Sequence, residues 1–252
     1  MGRASALLGW RAAAFVALAA ALGAYYGVHK SLSDLSLWWD VGFLAVVLIP
    51  AVFALVYLVL PLWRSPPLQL FVVGMVFAIL AVLLSAADLH TLADFSKLAA
   101  TTSLAWVFLN YFESASWVVL VALIVPWVDA YSVWRGPTHH IIKHRKNVFL
   151  NLSFSFPVPG SSDTANLGLP DLLFFALFLA AAVRFGLRPG WTWLAMTASF
   201  GVTMAIAAWL DLKGLPALPG LSIGFLGANA DLLWRHLAAP RLQPARSRKP
   251  NT

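Results

Sequence analysis

The sequence predicts an all-α polytopic membrane protein of about eight transmembrane helices, with one short β element in its longest loop. Three observations predict it. Of 252 residues, 61% are hydrophobic and only 11% charged, whereas a soluble domain carries roughly 25% charged residues. Apolar runs recur at the length a bilayer demands, about 20 residues for each spanning helix. Tryptophan marks the ends of those runs, at Trp38, Trp39, Trp63, Trp134, Trp191 and Trp234, as in the aromatic belt of a membrane–water interface. The composition excludes a soluble enzyme, a disordered chain and an ordinary nucleic-acid binder. The absence of cysteine removes disulfides, thiolate metal sites and cysteine nucleophiles. The net charge of +7 reads as loop cations held against anionic headgroups.

Eight apolar runs are candidate spans: residues 6–27, 41–62, 68–87, 95–112, 115–133, 167–185, 189–210 and 215–234. The first follows Arg3 and contains Arg11, as a signal peptide can, but it has no clear cleavage site and is read as a retained helix. The fourth is short and broken by Thr101, Thr102 and Ser103. Between the fifth and sixth lies the longest connection, which opens with His139, His140, Lys143, His144, Arg145 and Lys146. The histidines have no carboxylate among them, so this cluster reads as a solvated basic loop rather than a metal site. Leu150, Leu152, Phe154 and Phe156 then alternate with Asn151, Ser153 and Ser155, a period of two that signals a strand. Pro157, Pro159 and Gly160 end it. The organisation expected is a helical scaffold over residues 1–112, a second helical region over 113–235 and a basic tail over 236–252.

Counting cations does not orient the chain. The side holding the N-terminus carries eight Lys and Arg and the opposite side seven, so the positive-inside rule favours neither.

Most of the ten acidic residues fall at span ends or in loops, and two do not. Asp129 lies in Val-Pro-Trp-Val-Asp-Ala-Tyr-Ser-Val of the fifth, and Asp171 in Leu-Gly-Leu-Pro-Asp-Leu-Leu of the sixth. An aspartate at the centre of a spanning helix costs about 2.5–3.5 kcal/mol on insertion scales, so function is the default reading. The fifth span leaves the membrane on the side where the sixth enters, which sets both carboxylates at similar depth. Two carboxylates brought together in a low dielectric share a proton, and one can then activate water while the other polarises a carbonyl. The last span also begins on that side, with Gly214-Leu-Pro-Ala-Leu-Pro-Gly220, whose prolines leave backbone groups open. Asp231 falls at the opposite end, where it is expected to snorkel or to pair with Arg235.

These residues carry a resemblance. The Asp129 segment, Leu167-Gly-Leu-Pro-Asp171 and Leu215-Pro-Ala-Leu-Pro219 resemble, in order, the first-aspartate, glycine-any-glycine-aspartate and Pro-Ala-Leu motifs of the presenilin and signal peptide peptidase family of intramembrane aspartyl proteases. The resemblance covers about residues 118–234. It implies a presenilin-like fold with Asp129 and Asp171 as the catalytic pair. It makes Gly168, Leu169, Pro170, Pro216, Ala217 and Leu218 residues that shape the site, and it suggests that the strand holding Leu150, Leu152 and Phe154 and the stretch before Gly168 pair with unwound substrate. The implied activity is endoproteolysis within transmembrane helices or signal-peptide remnants, without metal or cofactor; the lack of a large soluble loop points to an enzyme active without accessory subunits. Its partners are membrane-spanning peptides and the lipid bilayer, not nucleic acid. Pro170 stands where the family has its second glycine, and Val128 where it has tyrosine. Two other readings accompany this one: an inactive relative in which Pro170 has abolished catalysis, and a proton-coupled transporter, although no internal repeat is visible.

Overall fold

In this computed structural model the chain is mostly helical, and the structure describes residues 2–134, 152–210 and 216–238. Helix α1 is Gly2–Val28. A second rod, Leu37–Arg64, is built from α2 (Leu37–Phe43), a π-helical segment (Leu44–Leu48), α3 (Ile49–Val59) and a closing 3-10 stretch (Leu60–Arg64). Pro50 accounts for the π segment: it has no N–H to offer the carbonyl four residues back and its ring crowds that carbonyl, so the ladder shifts register around Val46. Then come α4 (Pro67–Ala86), α5 (His90–Leu109) and α6 (Ala115–Trp134). A β-hairpin separates these from α7 (Leu169–Arg184), α8 (Pro189–Trp209) and α9 (Leu218–Ala238). Among the described residues, five stretches are long and apolar enough to cross a membrane: Gly9–Ser31, Leu37–Arg64, Pro67–Ala86, Ala115–Val133 and Pro189–Trp209. Helix α7 is shorter, at 16 residues, and α5 and α9 carry more polar side chains.

Helix α7 is the axis of the molecule. Every side chain from Phe175 to Ala182 is fully buried, which is why this helix is apolar all round instead of carrying one apolar stripe. The Phe175 ring stacks on Phe53 of α3 at a centroid separation of 4.0 Å, and Phe178 stacks on Phe225 of α9 at 4.7 Å. The outer helices have the reverse character. Val46, Leu68 and Trp127 are more than 70% exposed, as suits surfaces whose solvent is lipid. Trp38, Trp39, Trp191 and Trp234 also remain exposed near helix ends.

The hairpin joins β1 (Ser153–Pro157) to β2 (Thr164–Gly168), antiparallel, with Ser153 opposite Gly168 and Pro157 opposite Thr164. Its turn is fastened to the end of α1, where the Gly160 N–H donates to the His29 carbonyl at 2.8 Å. Gly160 has φ +70°, and a Cβ there would lie 2.5 Å from the Asp34 nitrogen. Only glycine meets both demands. The hairpin therefore sits at the end of the bundle where α1 finishes and α5 and α7 begin. The basic cluster at 139–146, Leu150 and the tail from 239 onward lie outside the described residues.

Helices α8 and α9 close the opposite end. Asp231 does not pair with Arg235, as the sequence suggested by proximity. Arg188, at the start of α8, grips it with two bonds of 2.8 and 2.7 Å, in the planar fork geometry that suits a carboxylate. Buried Asn229 completes the junction, accepting from the Arg188 N–H at 3.0 Å and donating to the Thr192 hydroxyl at 2.7 Å. Farther along, Gly224 of α9 lies against the α8 backbone, and a Cβ there would sit 2.9 Å from Ala195 and Met196 main-chain atoms. Because backbone cannot yield as a side-chain tip can, Gly224→Val should force α8 and α9 apart and destabilise the fold by about 1–3 kcal/mol, read as a fall in Tm in detergent micelles.

Candidate active site

Gly168 ends β2 and also caps α7, with extended backbone at φ −61°, ψ 144°. Leu169 and Pro170 then occupy the first turn, and Asp171 follows. In that turn a proline N–H would have no partner in any case, and the ring fixes φ where the helix wants it. Pro170 is thus accommodated by the helix start, with its side chain exposed. Asp171 folds back on the cap: its Oδ2 lies 3.2 Å from the point a Cβ on Gly168 would occupy, and the Gly168 backbone bonds to the carboxylate. A third-position acid reaching back to the capping residue is the acidic half of a capping box. Any side chain at 168 would press on that carboxylate.

Asp129 comes from the last turns of α6, which stays helical through Pro126. Its Oδ2 accepts the Leu218 N–H at 3.1 Å, and the Ala217 backbone also bonds to it. Leu218 is the first residue of α9, so its N–H is one of the donors that a helix N-terminus leaves without an internal partner. Pro216, Ala217 and Leu218 are all buried. The Pro-Ala-Leu segment therefore presents backbone donors to an aspartate from another helix. Asp129 is also the acidic neighbour that interacts electrostatically with Asp171. The structure brings together Asp129, Asp171, Gly168, Ala217 and Leu218, which stand far apart in sequence. Both aspartates are half-buried as residues. Among the described residues no cation forms a salt bridge with either. Arg184 instead donates to the Leu109 carbonyl at the other end of α7.

The strand residues fall differently from expectation. Leu152 is 52% exposed and its carbonyl accepts the Leu169 N–H, so it abuts the start of α7. Phe154 is fully buried, with its ring against Phe95 and Phe156. It is a core residue, and its side chain offers no contact to a substrate. Nor is the outer edge of β1 open. There the Lys97 ammonium donates to the Ser153 carbonyl at 2.9 Å and the Ser155 N–H donates to Asp94 Oδ2 at 3.3 Å. The Tyr26 and Tyr25 hydroxyls donate to the carbonyls of Ser155 and Pro157 at 2.8 and 2.7 Å. Side chains fill the place of a neighbouring strand. The free edge belongs to β2, where the backbone of Asn166 faces away from β1 and meets no other strand among the described residues.

Asp94 and Lys97 were not singled out in the sequence. They nevertheless form a buried ion pair at 2.8 Å, with side-chain exposures of 5% and 9%. Their spacing of three on a helix was the available signal. No protein-family model matches this chain, and no curated protein matches it in sequence.

If Asp129 caps α9, Asp129→Ala should cost about 1–2 kcal/mol, the range for losing a helix cap, whereas Asp129→Asn, which keeps an acceptor oxygen, should retain most of that stability. Thermal melts of the two variants in one detergent compare them. A melt for Asp129→Ala indistinguishable from wild type would argue against the cap.

Proposed function

We propose that this chain is an intramembrane aspartic endopeptidase of the presenilin and signal peptide peptidase type, multi-pass in the membrane with eight crossings. The observation that carries the reading is the meeting of two half-buried aspartates from successive helices, α6 and α7, beside the backbone donors of the Pro-Ala-Leu segment. The ordered trio of motifs supports it from the sequence side.

In the reaction proposed, the two carboxylates hold one proton between them. The charged one takes a proton from water as the oxygen attacks the scissile carbonyl, and the other donates its proton to the carbonyl oxygen. The resulting gem-diol collapses as the amide nitrogen is protonated, giving a carboxylic acid and an amine. No covalent enzyme intermediate forms. A substrate helix must unwind first, because helical hydrogen bonding shields its peptide bonds. The open backbone of Asn166 on β2, five residues before Asp171, suits an extended segment added by strand pairing; of the two stretches that the resemblance offered for this role, the one before Gly168 is the one with an open edge.

A second reading has its own observation. Asp171 bonds to the cap of α7 and Asp129 bonds to the start of α9, so both could serve stability alone in an inactive relative. Cleavage separates the two readings. Purified wild type in lipid nanodiscs should cut a labelled single-span peptide, and Asp129→Asn or Asp171→Asn should each slow it by about 10²–10⁴-fold, the usual contribution of general acid–base catalysis, without loss of fold. Gly168→Ala should also slow it, by crowding Asp171. If wild type cuts nothing in a broad panel of membrane peptides and binds no transition-state-mimicking inhibitor, the inactive reading stands in its place.

A further inference from the structure

A two-stranded hairpin is marginal by itself, and this one ends in Gly168, the cap of α7 on which Asp171 folds back. Among the described residues, side chains grip β1 on the edge away from β2. The grip has a regular geometry. Residues 154 and 156 exchange bonds with β2, which leaves the backbone groups of Ser153, Ser155 and Pro157 facing outward. These are the groups taken up by Lys97, Asp94, Tyr26 and Tyr25. Asp94 accepts from the strand with one oxygen and from Lys97 with the other, while Lys97 donates both to Asp94 and to the strand. The pair thus presents one donor and one acceptor to β1, as a neighbouring strand would.

We propose that Asp94 and Lys97 are positioning residues: their ion pair replaces a third strand, fixes β1 against α5, and through the β1–β2 register holds β2 and Asp171 in place against Asp129. Neither residue touches the reacting atoms. A shift of β1 along α5 would carry Gly168 with it, since Ser153 and Gly168 are paired in register, and would change which peptide bond of a bound segment lies between the carboxylates. A buried apolar contact would not do the same, because it lacks direction and would let the strand slide. Oppositely charged groups bonded to successive backbone positions admit one register.

The effect on cleavage rests on the protease reading, whereas the positioning of the hairpin does not. The test therefore reads both. Because the chain has no cysteine, spin labels can be attached at Thr164→Cys on β2 and Leu210→Cys after α8, both exposed, in the full-length protein in nanodiscs. Electron–electron distance measurements should give a narrow distribution in the otherwise wild-type protein and a broadened or shifted one for Lys97→Met. The neutral pair Asp94→Asn with Lys97→Gln, which keeps a donor and an acceptor, should restore the narrow distribution. In cleavage assays read by mass spectrometry, Lys97→Met should spread the products over neighbouring peptide bonds, and the neutral pair should return them towards a single site. If Lys97→Met yields no folded protein, Tyr26→Phe removes a single hydroxyl from the same edge and should broaden the distribution to a smaller degree. An unchanged distance distribution in Lys97→Met, or in Tyr26→Phe where that variant stands in, overturns the proposal whatever the activity. A wild type that holds the hairpin narrowly yet cuts no peptide overturns the protease reading alone.

Discussion

The structure depends on the burial of α7. A helix with no exposed side chain along its middle has no freedom to rotate or slide, because every direction of movement meets a ring or a backbone. Phe53 on one side and Phe225 on the other hold it by stacking. Asp171 lies one turn before this buried stretch, where α7 meets the hairpin that precedes it. The strand that precedes it ends in the residue that caps it, so the hairpin and the helix share one hinge-free junction at Gly168. The remaining helices are arranged by what they owe to this axis. α3, α5 and α9 supply the inner packing, while α4 and much of α1 and α6 turn their apolar faces outward.

A second regularity concerns the acidic residues. Asp94 stands in the second turn of α5, Asp171 in the first turn of α7, and Asp129 against the first residue of α9. Each lies at the N-terminal end of a helix, where unpaired N–H groups and the helix dipole favour negative charge. Three helices begin at the same end of the bundle, and that end collects the anionic side chains. The opposite end uses a different solution, an arginine fork on Asp231 with an amide network behind it. Acidic groups are held through backbone donors, joined at Asp94 by the Lys97 ammonium, at one end and through a guanidinium at the other.

Much of this was legible in the sequence, and the remainder was not for identifiable reasons. Hydropathy located the apolar helices to within a few residues, since the length of an apolar run is a local property. Proximity of Asp129 and Asp171 followed from parity, the alternation of sides along the chain. The alternation of serines and phenylalanines announced a strand but not its neighbours: whether Ser155 meets a substrate or an aspartate of α5 depends on contacts 61 positions away. Phe154, expected beside a substrate, is a core residue because the same alternation has two faces and sequence does not say which is inward. Asp231 found Arg188 rather than Arg235 for a similar reason, as the partner is nearer in space and farther in sequence. Asp94 and Lys97 were overlooked because they lie where a weak span begins, and charge there looks like the ordinary boundary of a membrane helix.

A strand edge is a hazard in a crowded membrane, since unpaired backbone invites the strands of other molecules. This hairpin has one edge closed by four side chains from α1 and α5, and the other reduced to the neighbourhood of Asn166, whose own amide folds back on the Thr164 carbonyl. Growth can occur on one side only, over little more than one residue, before α7 begins and the chain turns helical. A visiting strand finds a foothold there but no template to extend, so the protein can keep reactive backbone exposed without seeding an assembly of its own copies.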